Sequence, residues 1–281
     1  MSISVPPCAA AVGKSLRVSR PEVGGPRDRQ AQNHSALRTT DPRHLQIGPF
    51  VESPLFEILA WESTDLGLLS LRRRELLCEP GTLVTEVTLN QEFLMSSCVT
   101  ASERALAEIA LQMHTGTRLR VLVGGLGLGY TAQAALESDR VSDCEVVELL
   151  PQVIDWLRQG LIPLSDELNA EDRLKVTQGD LFRLIAGPPT QKHDLILIDV
   201  DHSPEENLAT ANSTFYRADG LKAAKLHLAD DGILGVWSYA ASSPFLDALR
   251  EVFREVRVES VTVFNNLINE RQTDWLFFAR D

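Results

Sequence analysis

The sequence is short of cysteine motifs, of long apolar runs and of positive charge. Its four cysteines, Cys8, Cys78, Cys98 and Cys144, are scattered and form no CxxC pair. That spacing gives no zinc pattern, so no metal is expected, and the reading is a cytoplasmic protein with reduced, packing thiols. No apolar run approaches the ~18 residues that a membrane-crossing helix needs, so no membrane partner is expected. With 27 Lys and Arg against 39 Asp and Glu, the formal charge is −12. Such a chain disfavours nucleic acid and tolerates a cationic ligand. No Lys or Arg follows its glycine-rich stretch, which argues against a phosphate loop of the GxxxxGK[ST] type.

What is present is enough chain for a sizeable core. The 281 residues suit one large domain or two smaller ones. Residues 1–45 are rich in Arg, Ser, Pro and Gly and carry seven basic residues against three acids. They bury too little to offset their ordering entropy, and a disordered extension is expected there. Its prolines and glycines interrupt the amphipathic helix of a transit peptide, and it lacks the apolar core of a secretory signal. Residues 50–98 hold short, partly alternating apolar segments, "LFEILAW", "LGLLSLR", "LVTEVTLN" and "EFLMSS". They predict a small antiparallel β domain, with the charge run "SLRRREL" as a solvated turn.

Residues 99–281 read as a second, larger domain. "TASERALAEIALQMH" has helical spacing at Leu106, Ile109, Ala110 and Met113, with Thr100 or Ser102 as its N-cap. From Arg120 onward, strands alternate with helices. "RVLVGG", "CEVVEL", "LKVTQGD", "HDLILID" and "ILGVWS" are the strands, and "VRVESVTVF" and "TDWLFFAR" close the chain as two more. The alternation predicts an α/β fold with a Rossmann-like, mostly parallel sheet covered on both faces.

The stretch "VLVGGLGLGYTAQAALES" joins a buried strand to a helix through glycines, the arrangement that holds nucleotides. A dinucleotide loop wants GxGxxG, but the third glycine position is Tyr130. Gly125-x-Gly127-x-Gly129 fits instead the loop that cradles a sulfonium nucleoside in class I methyltransferase folds. Gly124 precedes it. Glu148, nineteen residues after Gly129, ends the second strand, where a carboxylate can accept from both ribose hydroxyls. Asp180 ends the third strand, where it either accepts from an adenine amino group or caps the next helix. Asp199 and Asp201 end the fourth. Acids at three successive strand ends point to one ligand crevice. His202 is a further base or a surface group. Trp237 and Tyr239 shape a pocket or pack the core, and Trp61 lids the site or does the same.

These residues resemble the spermidine synthase family of polyamine aminopropyltransferases across roughly residues 50 to 281. The family's "GGGDGG" slot reads "GGLGLG", Gly124 to Gly129. Its ribose-holding Glu matches Glu148, and its adenine-holding Asp matches Asp180. Its "DSxDP" segment resembles "DVDHSP", with Asp201 as the catalytic Asp by order and Asp199 as the second candidate. The resemblance implies a small β domain before a class I methyltransferase-like sheet whose last strand is antiparallel. It also implies a homodimer. Two positions depart from the family pattern. The loop Asp that faces the aminopropyl amine is Gly127, and the diamine-contacting Tyr of "EFxYxE" is Leu106 in "ERALAE". Losing the loop acid tilts the donor from decarboxylated S-adenosylmethionine towards S-adenosylmethionine, unless Glu103 compensates. The expected function is transfer of a methyl or aminopropyl group from either donor to a small acceptor, a cationic amine included. True polyamine aminopropyl transfer and a non-catalytic nucleoside-binding scaffold are the alternatives.

Overall fold

The computed structural model describes residues 55–200, 203–205, 213–265 and 269–281. The extension expected over residues 1–45 lies outside them, as do Asp201 and His202. Four strands, β1 (Phe56–Thr64), β2 (Gly67–Leu76), β3 (Glu79–Leu89) and β4 (Glu92–Ser96), form an antiparallel meander in that order. After helix α1 (Ala101–Met113) the chain alternates. The elements are β5 (Leu119–Gly124), α2 (Tyr130–Leu136), β6 (Val141–Glu148), α3 (Pro151–Arg158), α4 (Ser165–Asn169), β7 (Leu174–Gln178), α5 (Leu181–Ala186) and β8 (His193–Ile198). Then come α6 (Ala218–Leu226), β9 (Leu228–Ser238), α7 (Ser243–Val252), β10 (Glu255–Asn265) and β11 (Glu270–Arg280).

The larger sheet runs β10-β11-β9-β8-β5-β6-β7. β7, β6, β5, β8 and β9 are mutually parallel, while β11 is antiparallel to both neighbours. This is the mostly parallel, methyltransferase-like sheet with an antiparallel final strand. Strand periodicity decides its layering. Val121, Val123, Leu195 and Leu197 face one core. Their alternates Leu122, Ile196 and Ile198 face the other. Leu276 and Phe278 on β11 join the first core, and Phe277 and Ala279 join the second. Side chains two apart share a face, so strands buried on both sides must be apolar throughout.

Helix boundaries follow their local chemistry. Pro151 opens α3 where no donor is needed. Ser242 caps α7 by accepting from the Phe245 N–H at 3.1 Å. Thr100 occupies the N-cap position of α1 without a side-chain cap, and Ser102 turns inward instead. The small sheet shares the first core through Leu69, Leu71 and Val87. It is also tied to α3 by the Trp156 indole, which donates to Glu62 at 2.9 Å. Among the described residues no helix is long and apolar enough to cross a membrane.

The arginine run corrects the sequence reading: it is strand, not turn. Arg72 and Arg74 fall two apart in β2, so both meet Glu86 of β3. Arg72 Nε donates to Glu86 at 2.8 Å and Arg74 Nε at 2.9 Å. Glu86 is 1 % exposed. Burial works to raise its pKa, but the hydrogen bonds from Arg74 and Arg72 outweigh it and hold the carboxyl below its usual value. A lowered folded pKa contributes stability above the unfolded pKa, and that stability is lost as pH falls through the folded value. Glu86→Gln should therefore cost about 2–3 kcal/mol at pH 7, with the deficit shrinking at acid pH. Urea unfolding at pH 7 and near pH 3 measures both. A pH-independent deficit would show that the ion pairs do not stabilise the sheet.

Candidate active site

The site lies where the sheet reverses its winding order. β5 pairs with β6 on one side and β8 on the other, so their carboxyl ends splay and leave a crevice. The Asp199 N–H donates to Gly124 O at 3.0 Å, and the Gly125 N–H to Val147 O at 2.9 Å. These bonds fix the glycine loop against the ends of β8 and β6.

Positive φ governs the loop. Gly125, Gly127 and Gly129 adopt φ of 87°, 53° and 94°. A Cβ on Gly125 would strike the Asp199 carbonyl, one on Gly129 the Leu168 side chain, and one on Gly124 the Leu181 side chain. Gly127 differs. Its φ lies in the left-handed region that Asn and Asp also visit, and its nearest neighbour would be Met95 Sδ at 3.2 Å. Backbone geometry therefore does not demand glycine there.

Glu148 is buried and braces the loop rather than standing open. Its two carboxylate oxygens accept from the Leu126 and Leu150 N–H groups, each at 2.8 Å. Burial raises its pKa, against these backbone bonds. Asp180 is exposed and caps α5 by accepting from the Arg183 N–H at 3.1 Å. Neither lines the cavity next to the loop.

That cavity, of about 270 Å³, opens between the glycine loop, β4, α1 and the ends of β8, β9 and β11. Glu103, Asp199 and Asp274 line it together with Gly127, Thr131 and Trp237, and none of its described lining residues is Lys or Arg. The Thr131 hydroxyl donates to Asp199 Oδ2 at 2.9 Å. Ser102 Oγ lies 2.6 Å from Asp274 Oδ2 and 3.1 Å from Glu103 Oε2, and accepts from the Trp237 indole at 3.0 Å. All three acids titrate high. Burial, then the charge of Asp199, raises Glu103. Burial, then the charge of Asp274, raises Asp199 against its bond from Thr131. Burial raises Asp274 against the bonds from Ser102 and Gln272. Like charges close together in a dry site cannot all ionise.

The structure thus brings together Asp199, the glycines, Glu103, Trp237 and Tyr239, and places Trp61 on an exposed stretch of β1 away from the cavity. Two residues escaped the sequence reading. Ser102 looked like a cap. Asp274 was passed over inside an apolar strand, yet it shares the core-facing parity of Leu276 and Phe278. A lone acid on that parity was the available signal.

No family model matches the chain. Over 123 residues it is 28% identical to polyamine aminopropyltransferase 2 of Streptomyces coelicolor, a match covering 43% of this chain and 22% of that protein. The match therefore spans about a fifth of that curated relative. Among solved structures it is similar to a spermidine synthase in complex with the transition state analogue AdoDATO. That match has a TM-score of 0.63 at 18% identity and covers 79% of this chain and 73% of the other. It is also similar to spermidine synthase from Thermotoga maritima, with a TM-score of 0.61 at 18% identity, covering 79% and 72%. The fold is that of the spermidine synthases, and the sequence resemblance runs to the same family.

The glycines should not be equivalent under substitution. Gly125→Ala forces a side chain against the Asp199 backbone at an unfavourable φ and should cost more than about 2 kcal/mol. Gly127→Asn should cost no more than about 1 kcal/mol. Urea unfolding of the two variants compares them; equal losses would contradict the loop geometry.

Proposed function

We propose that the chain is an alkyl transferase that moves an aminopropyl group from a decarboxylated sulfonium nucleoside to a cationic amine. The cavity carries this reading: three carboxyl groups, no described cationic lining residue, and direct contact with a nucleoside-type glycine loop. The polyamine aminopropyltransferase and spermidine synthase resemblances support it.

Charge favours the decarboxylated donor. Gly127 removes the acid that the related family places in the loop. Here Asp199 and Asp274, flanking Glu103 of α1, supply negative charge to the same cavity from the end of β8 and from β11. An ammonium tail is attracted there, whereas the α-carboxylate of S-adenosylmethionine is repelled. Unit charges ~4 Å apart interact by about 4 kcal/mol in a partly buried site. Glu148 and Asp180 would hold the nucleoside with the lone pairs that their backbone bonds leave, since each carboxylate oxygen accepts more than one hydrogen bond.

The chemistry asks little more than alignment and one proton transfer. The amine nitrogen bonds to the carbon beside sulfur, and the carbon–sulfur bond breaks with its electron pair passing to sulfur. Before that, the ammonium must lose a proton. A carboxyl group of the cavity must take it, and Asp199, at the switch point and held by Thr131, is suited to hold the ammonium in place for that transfer. Asp201, two residues on, is the other candidate by sequence order.

Calorimetry with decarboxylated S-adenosylmethionine, S-adenosylmethionine, methylthioadenosine and NAD tests the donor. The decarboxylated form should bind at least about 10-fold more tightly than S-adenosylmethionine, and NAD should not bind. Binding of NAD alone overturns the nucleoside reading, and binding of none of them favours the scaffold. Asp199→Asn should lower turnover with a diamine acceptor by about 100-fold while sparing donor affinity. Unchanged turnover would remove Asp199 from the chemistry.

A further inference from the structure

Hydrogen accounting at Ser102 shows more than a cluster of acids. The hydroxyl has one proton to donate and two lone pairs with which to accept. The Trp237 indole can only donate, so its 3.0 Å bond uses one lone pair of Ser102. Asp274 Oδ2, at 2.6 Å, lies at the distance of an O–H donating to a charged carboxylate. The serine proton therefore points to Asp274. Glu103 Oε2, 3.1 Å from the same oxygen, then faces a lone pair. One hydroxyl proton cannot be given fully to two carboxylates, and a proton on Glu103 aimed at this lone pair resolves the conflict. The chain is Glu103–H to Ser102, and Ser102–H to Asp274.

We propose that Glu103, Ser102 and Asp274 form a proton relay into which an amine in the cavity discharges its proton. The proposal rests on the amine-acceptor reading above. The step balances without a further reactant. Glu103 passes its proton to Ser102 as Ser102 passes its own to Asp274, and Glu103 takes the proton leaving the ammonium nitrogen. One N–H bond is lost, one O–H bond is gained at Asp274, and Glu103 and Ser102 end as they began. Ser102 and Asp274 are positioning residues that act through Glu103. Gln272 Nε2, 3.4 Å from Asp274 Oδ1, and Trp237 hold the two ends of the path.

The surroundings set the direction of transfer. Asp199, at the end of β8, faces Glu103 with a like charge and is itself held by Thr131 of α2. Arg104, the next residue on α1, lies over the Tyr130 ring, 5.0 Å from its centroid, and pairs with Glu137 at 3.5 Å. The Cys98 thiol and the hydroxyls of Tyr130 and Tyr239 complete the titratable groups described around the cavity. Burial raises Cys98 and Tyr130, so both favour the neutral form. An entering cation therefore meets negative charge on two sides of a protonated Glu103.

Infrared spectroscopy of the full chain reads the ground state without any substrate. A carboxylic-acid C=O band should be present at pH 7 and lose the intensity of one carboxyl in Glu103→Gln. Absence of the band, or an unchanged band in that variant, overturns the relay. Kinetics with decarboxylated S-adenosylmethionine and 1,4-diaminobutane read its use. Ser102→Ala should lower kcat about 100-fold, leave KM within about 2-fold, and move the acid limb of the pH profile. Ser102→Thr, which keeps a hydroxyl, should restore most of the rate. Wild-type kcat and pH profile in Ser102→Ala, or a threonine variant as slow as the alanine one, refutes the proposal. If the wild type transfers nothing to the amine while the band behaves as expected, the functional reading fails and the shared proton stands.

Discussion

The close approach of Gly125 to the Asp199 backbone is the constraint on which the site depends. It sits at the junction of β5 and β8, where the sheet changes winding direction. Only a residue without Cβ, at a φ of 87°, lets the chain turn there while the Asp199 N–H bonds to Gly124. The turn swings the loop out over the strand ends. The same contact fixes Asp199 at the wall of the cavity rather than in solvent. The buried Glu148 locks the other side of the loop by accepting from Leu126, so the loop is held from both neighbouring strands.

Electrostatics then decide what such a cavity can accept. Buried carboxyl groups without cationic partners are costly, and a protein keeps them where a ligand supplies the missing charge. Contrast Glu86, buried but satisfied by two arginines, whose pKa falls. The acids at the crevice find hydroxyls, a backbone N–H and one amide but no cation, and theirs rise. The two clusters differ in their partners and have opposite consequences. One consolidates the small sheet, and the other leaves an unfilled demand for positive charge.

Much of the fold was legible because periodicity is a local property. The apolar runs of β5 and β8, the glycine turn, Pro151 and the alternation of strand and helix all act over a few residues. The arginine run misled because a strand and a solvated turn carry similar charge patterns. What distinguishes them is Glu86, fourteen residues from Arg72 and invisible as a partner until β2 and β3 pair. Glu148 and Asp180 were found by position, yet their backbone bonds depend on where the loop and α5 place their N–H groups.

By itself the sequence determined a parallel α/β sheet, the glycine loop and the acids at strand ends, each from spacing along the chain and the stereochemistry of single residues. The loss of a loop acid at Gly127 is what the family resemblance implied. Only the tertiary structure decided that Glu103 and Asp274 meet across Ser102, although Ser102 and Asp274 are 172 residues apart. It also decided that acids from three separate elements line the cavity beside the glycine loop. Burial and like-charge proximity are properties of the packed space, and no local pattern encodes them.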